Sequence, residues 1–196
     1  MQKIKSTFLN MTVIMTVVAI ISAAAVTYVY QLTLPAVTEN MKKAEVEAIS
    51  DIFGDEFDNN PIAEKTAVPM KKGIKELNIY PLRKQDMIYA IAVKSYTNKG
   101  FGGELEIMTG FYIDGTMAGY KVLNHKETPG LGSKIMENEF ISQFIGLKIE
   151  GGKLKLRKEG GQIDGITSAT ISSKALLDAV NNAKKAYDRF SLKGQL

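Results

Sequence analysis

"MIYAIAVKSYTNKGFGGELEIMTGFYIDGTMAGYKVLNH", residues Met87 to His125, alternates apolar and polar side chains in three runs, 87–96, 103–113 and 116–125. A period of two belongs to β-strands, and Asp114-Gly115 between the last two runs is a tight-hairpin signal. The stretch therefore predicts three antiparallel strands. After it come "KETPGLGSKI", a loop with three turn-forming residues, and "MENEFISQFIG", a short helix. "KLKLRK", Lys153 to Lys158, sets Leu154 and Leu156 between charges, the pattern of a half-buried strand with a solvated face. Ile171, Ala175, Ala179, Ala183 and Tyr187 then recur every four residues, which predicts a closing helix. Antiparallel strands with segregated helices define an α+β domain: a mainly antiparallel sheet and flanking helices.

Working back from Met87, "DEFDNNPIAEKTAVPMKKGIKELNIYP" shows no period and holds prolines 61, 69 and 81. It reads as a mostly irregular connection with room for short strands. Val37, Met41, Ala44, Ala48 and Ile52 precede it at helical spacing, and Pro35 is expected to separate that helix from what lies before. Phe8 to Tyr30 is predominantly apolar, and no charged side chain occurs between Lys5 and Glu39. As a helix this run spans about 34 Å, enough for a hydrocarbon core of about 30 Å. Its hydroxyls can bond back to the preceding turn, and Tyr28 and Tyr30 fall where an interfacial aromatic belt would lie. The apolar run exceeds that of a cleaved signal peptide, although "SAAAV" offers small residues for a peptidase. The expected division is 1–7 as a cytoplasmic N-terminus, 8–30 as a transmembrane anchor, 31–85 as helix and connecting segment, and 86–196 as the functional domain.

The chain has 196 residues and a formal charge of +4. Lys3 and Lys5 lie ahead of the apolar run, so the remainder is close to charge balance and lacks the clustered basic face that nucleic acid requires. There is no cysteine and a single histidine, His125, which excludes disulfides, thiolate metal sites, thiol catalysis and a His-rich metal centre. His125 reads as a surface or structural residue. A chain so poor in reactive side chains borrows its chemistry or has none, and no catalytic or metal-ligating set is expected.

The segment "QIDGITSATISSKALLDAV", Gln162 to Val180, places Asp164, Thr167, Ser168, Thr170, Ser172 and Ser173 around the start of the closing helix. One hydroxyl or carboxylate suffices as an N-cap, so Thr167 or Ser168 could serve and another hydroxyl be left for other work. A helix start offers unpaired N–H groups and a dipole that favour an anion, and Ser168 and Ala169 are small enough to let a bulky one approach. No His or Lys in the motif could act as a base for Thr170, as expected of a residue modified by another enzyme.

Asp164-Gly165-Ile166-Thr167-Ser168-Ala169-Thr170, together with Glu127-Thr128-Pro129-Gly130-Leu131-Gly132 and the Gly-rich "GFGGELEIMTG", resembles the FMN-binding domain family. That family includes the G subunit of the Rnf electron-transport complex and the C subunit of the sodium-pumping NADH:quinone reductase; the compact length and "GLGSKI" look more like the former. The resemblance implies FMN joined by a phosphoester to Thr170 by a separate flavin transferase. It further implies cofactor contacts from Thr167, Ser168 and Ala169, and from Glu127, Thr128, Gly130 and Leu131. Ser168 stands where the family usually has Gly. The implied role is electron transfer within a membrane-bound, ion-translocating redox complex, with its other subunits as partners. Lys3 and Lys5 favour a cytoplasmic N-terminus, which places the domain on the periplasmic side of the inner membrane. Two other readings are a membrane-anchored binding or assembly module without flavin, in which "TSAT" only caps a helix, and a stand-alone extracytoplasmic flavoprotein.

Overall fold

The computed structural model describes residues 8–70, 76–149 and 152–192. The chain forms two compact units, Met1–Lys43 and Ala44–Leu196. The first helix, α1, runs over Phe8–Phe53 and contributes to both. Pro35 lies inside it and does not end it, contrary to the sequence expectation. A proline removes one i→i−4 bond, a loss that a long helix with intact turns on both sides absorbs.

In the first unit every described side chain is exposed. The Thr12 and Thr27 hydroxyls donate to the carbonyls of Phe8 at 3.0 Å and Ala23 at 2.8 Å, which satisfies them without solvent. The helix is long and apolar enough to cross a membrane, and nothing in its own unit covers its apolar side chains. Uncovered valines and isoleucines over this length need apolar surroundings.

The second unit is an antiparallel meander of five strands in the order β1-β2-β3-β4-β5: Thr66–Val68, Leu77–Lys84, Met87–Gly100, Gly103–Tyr112 and Met117–Asn124. The strands expected at 87–96, 103–113 and 116–125 are β3 to β5, and Asp114-Gly115 turns the hairpin between the last two. The sheet also draws β1 and β2 from within residues 31–85. Pro81 disguised β2, because a proline cannot donate to a ladder. Its carbonyl accepts from the Asn59 side-chain amide at 3.0 Å, on the side away from β3. Asn59 Oδ1 accepts from Arg83 N–H at 2.9 Å on that same side. β1 pairs only with Leu77–Ile79, so the missing donor of Pro81 faces a side where no strand asks for it.

Both faces of the sheet are buried. Ile79, Ile91, Val93, Leu105, Ile107 and Phe111 face α3, the closing helix Thr170–Leu192, which contributes Ala175, Ala179, Ala183 and Ala186. Tyr80, Leu82, Ala90, Ala92 and Met108 face the other way and pack with Ala48 and Ile49 of α1. Gly110 of β4 permits that approach: a Cβ there would lie 2.5 Å from Ile52 and 2.6 Å from Phe53. This second face also buries a polar group. The Glu45 carboxylate accepts from the Tyr80 hydroxyl at 3.0 Å and from Lys94 Nζ at 3.1 Å, and Lys94 reaches Glu106 at 3.6 Å. Burial, with the Glu45 carboxylate second, pushes the Tyr80 phenol well above its ordinary range.

The remaining helix, α2, is the short Asn138–Ile141, inside the predicted "MENEFISQFIG". "KLKLRK" is not a strand of the sheet. Leu154 and Leu156 are buried, as their alternation indicated, but Leu156 makes only an isolated bridge to Ile163 before a 3-10 turn at Arg157–Glu159. Asn181 of α3 takes both backbone groups of Leu154, accepting from its N–H at 2.8 Å and donating to its carbonyl at 3.1 Å. A side-chain amide thus occupies the place of a neighbouring strand.

Among the described residues, Thr109 of β4 has a fully buried hydroxyl without a hydrogen-bond partner. Burying such a group uncompensated costs about 1–3 kcal/mol. Thr109→Val is therefore expected to raise the unfolding free energy by about 1 kcal/mol, read from urea denaturation; a loss of stability would show that the hydroxyl is satisfied.

Candidate functional site

The hydroxyl-rich segment resolves into a turn and a helix start. Ala169 N–H donates to the Ile166 carbonyl at 3.0 Å, and Ser173 N–H donates to the Ala169 carbonyl at 3.0 Å. Ala169 thereby holds the cap position of α3, and it has no side-chain acceptor. Neither Thr167 nor Ser168 makes a capping bond among the described hydrogen bonds. Ser173 is the hydroxyl that organises the segment: it accepts from Ile166 N–H at 3.0 Å and donates to the Ala169 carbonyl at 3.0 Å. Ser168, at the crest of the turn, has φ +64°, left-handed backbone that glycine adopts without cost. This serine is therefore held in backbone that glycine would adopt freely.

The turn is braced from behind. Arg157 grips Asp164 with two bonds, Nε to Oδ1 at 2.6 Å and Nη2 to Oδ2 at 3.0 Å. The hydrogen bond from Arg157 holds the Asp164 carboxyl below its ordinary range. Gln143 Oε1 accepts from Asp164 N–H at 2.7 Å. Asp164 thus shapes the loop.

The loop after β5 approaches α3 from the other side. Glu127 is 5% exposed and its Oε2 accepts from the Ser172 hydroxyl at 2.5 Å. Its N–H donates to His125 Nδ1 at 3.1 Å, which gives the single histidine a structural role. Gly132 makes room for the pair, because a Cβ there would lie 2.6 Å from both Glu127 Oε2 and Ser172 Oγ.

Between loop and helix lies a cavity of about 300 Å³, lined by Phe101, Glu127, Thr128, Leu131, Gly132 and the run Ser168 to Ser172. The structure thus brings together Glu127, Thr128, Leu131, Ser168, Ala169 and Thr170 of the residues singled out from the sequence. Gly130 is exposed at φ +74° and does not line the cavity. Thr167 turns to a separate cleft with Lys134, Glu137, Phe140, Gln143 and Asp164. Sequence reasoning missed Phe101, Gly132, Ile171 and Ser172 as lining residues. Phe101 had a signal, an aromatic side chain inside "GFGG", and it is 68% exposed at the tip of the β3–β4 hairpin.

The whole lining falls within residues 100–185, which match the FMN-binding domain family. Over a longer stretch, the chain is 31% identical to the G subunit of the ion-translocating oxidoreductase complex of Vibrio vulnificus across 159 residues, 77% of this chain and 75% of that one. It is 30% identical to the protein of the same name from Escherichia coli K12 across 162 residues, 78% of each chain. The Vibrio cholerae protein is 29% identical across 178 residues, 87% of this chain and 85% of its own. A crystal structure of Shewanella oneidensis NqrC aligns over 62% of this chain and 63% of its own, at 23% identity and a TM-score of 0.48. The chain belongs to the family of G subunits of ion-translocating oxidoreductase complexes.

Left-handed backbone costs a non-glycine residue about 1–2 kcal/mol. Ser168→Gly is expected to stabilise the protein by up to about 1 kcal/mol, and Ser168→Val, whose branched Cβ tolerates positive φ least, to destabilise it by at least about 1 kcal/mol. Thermal unfolding of the two variants measures both; equal midpoints would mean that the turn relaxes.

Proposed function

We propose that this chain is an electron-carrying subunit of a membrane-bound, ion-translocating redox complex, and that it holds FMN as a phosphoester on Thr170. The observation that carries this reading is the place of Thr170: exposed, first residue of α3, on the wall of the cavity, directly after a cap position without a side-chain acceptor. The first N–H groups of a helix lack intrahelical partners, and together with the dipole they favour an anion. A phosphoryl group on the Thr170 oxygen would lie within that field.

The lining suits the rest of a flavin. Phe101, Leu131 and Ile171 are 68%, 45% and 53% exposed, apolar surface that a planar ring would cover. Thr128 adds a hydroxyl at the rim. FMN bound there would supply one- and two-electron redox chemistry to a chain without cysteine.

Forming the ester falls to another enzyme. No His, Lys or Arg lines the cavity, and the one carboxylate in it already accepts from Ser172. Threonine needs a base to become a nucleophile, and the cavity offers none that is free. Direct condensation of FMN with an alcohol would expel hydroxide, a poor leaving group. The donor is therefore a flavin nucleotide activated as a phosphoanhydride. On such a donor a flavin transferase would exchange a phosphoanhydride P–O bond for the Oγ–P bond of Thr170, and the nucleotide fragment would leave with the threonyl proton. Ion movement belongs to the partners in the complex, because the segment from Phe8 to Thr38 has no Asp, Glu, His, Lys or Arg to relay it.

Thr170→Ala is expected to abolish covalent flavin while leaving the fold intact, since the helix cap does not use this hydroxyl. Mass spectrometry of protein produced with a flavin transferase reads the result, and FMN still attached to the variant would overturn the assignment. Orientation has its own test. Asn98 is exposed, and in a chain without cysteine Asn98→Cys is expected to react with a membrane-impermeant maleimide in intact spheroplasts. Labelling only after lysis would place the domain in the cytoplasm.

A further inference from the structure

The cavity beside Thr170 lacks what a flavin-nucleotide site ordinarily supplies. Among its lining residues there is one charged side chain, Glu127, and it is acidic. The lysines within two residues of the lining in sequence, Lys99, Lys126, Lys134 and Lys174, all lie outside it; Lys99 is paired with Asp178 at 2.7 Å and Lys174 with Glu159 at 2.5 Å, and Lys134 lines the neighbouring cleft. Glu127 is also not free to swing away: it is 5% exposed, and its Oε2 is fixed by the Ser172 hydroxyl. Gly132 closes over that same oxygen, where any larger residue would collide. Ser172 belongs to the first turn of α3. An acidic group bonded to the first turn of α3 thus shares the cavity wall with Thr170.

We infer that Glu127 is a specificity-determining residue that excludes the free flavin nucleotide and leaves the cavity to cofactor carried on Thr170. The inference rests on the FMN reading above. A phosphate monoester carries between one and a half and two negative charges near neutral pH, by the ordinary second ionisation at about 6. Esterified to a threonine, the same phosphate is a diester with a single charge. The helix N-terminus contributes roughly half a positive charge. Against a neighbouring carboxylate that half charge cannot hold a dianion, whereas the diester brings less repulsion and is held by a bond. The apolar ring surface has no such conflict. The cavity should therefore prefer a flavin without phosphate to one with it, the reverse of a site that binds FMN reversibly. Gln in place of Glu keeps an acceptor for the Ser172 hydroxyl and nearly the same volume, and removes the charge while turning the other oxygen into an amide donor.

The test uses the full-length chain in detergent with Thr170→Ala, so that no ester forms, and titrates it with riboflavin and with FMN by flavin fluorescence. Riboflavin is expected to bind more tightly than FMN. Adding Glu127→Gln should then raise FMN affinity about tenfold, the size of one charge–charge repulsion across a partly shielded site, and move riboflavin less than about twofold. A purely structural role for Glu127 would move both flavins together and overturn the inference. So would tighter binding of FMN than riboflavin before the change, or no binding of either flavin to either variant. Protein loaded by the transferase, with Thr170 intact, is digested in parallel. FMN on Thr170 there leaves the proposed function standing even if the charge filter fails, and its absence removes the function itself.

Discussion

The contact between α3 and the sheet sets the position of everything else in the second unit. Ala175, Ala179, Ala183 and Ala186 give the helix a flat, small-residue face. Ser95 of β3 donates its hydroxyl to the Ala179 carbonyl at 2.9 Å, a bond that requires the helix backbone to lie close to the strand. With the helix held there, its first turn reaches the tip of the β3–β4 hairpin and the loop after β5. The site is thus assembled from three segments distant in sequence, none of which could form a cavity alone. Ser173 extends the same control by one turn, since its hydroxyl ties the Ile166–Ala169 turn to the helix that follows.

The chemistry of the site follows from what the chain lacks. With no cysteine and one histidine whose Nδ1 accepts from a backbone N–H, the protein has no thiol to offer as a redox group. What it has is shape: an apolar pocket, an exposed hydroxyl and a helix start. These are the properties of a holder, and they agree with membership in a family named for a multi-subunit oxidoreductase. The proposed modification asks little of the fold, because the modified side chain carries none of the bonds that keep the turn in place.

Much of this was readable before any coordinates. Strands β3 to β5 and the closing helix follow from periodicity, and the meeting of the "ETPGLG" and "TSAT" segments is what the family resemblance implied. The failures have specific causes. Pro81 hid β2 because the rule against proline in a ladder assumes a strand on both sides, and here one side is Asn59. "KLKLRK" gave the right burial and the wrong partner, because alternation reports which side chains are inside and says nothing of where the backbone bonds go. Pro35 looked like a break because a single lost bond carries no information about the turns around it. The lining residues Gly132 and Ser172 were invisible for a different reason. Ser172 meets Glu127 across 45 residues of chain, and the role of Gly132 exists only relative to that pair.

Asn59 carries one more implication. By filling the hydrogen-bonding positions of Pro81 and Arg83 with its own amide, it leaves this part of the β2 border with no free backbone groups to offer a passing strand. β1, only three residues long, closes the adjoining stretch. A neighbour in a larger assembly cannot join here by lengthening the sheet. Along that stretch a neighbour meets side chains rather than an open ladder, a surface that can diverge between complexes without disturbing the fold beneath.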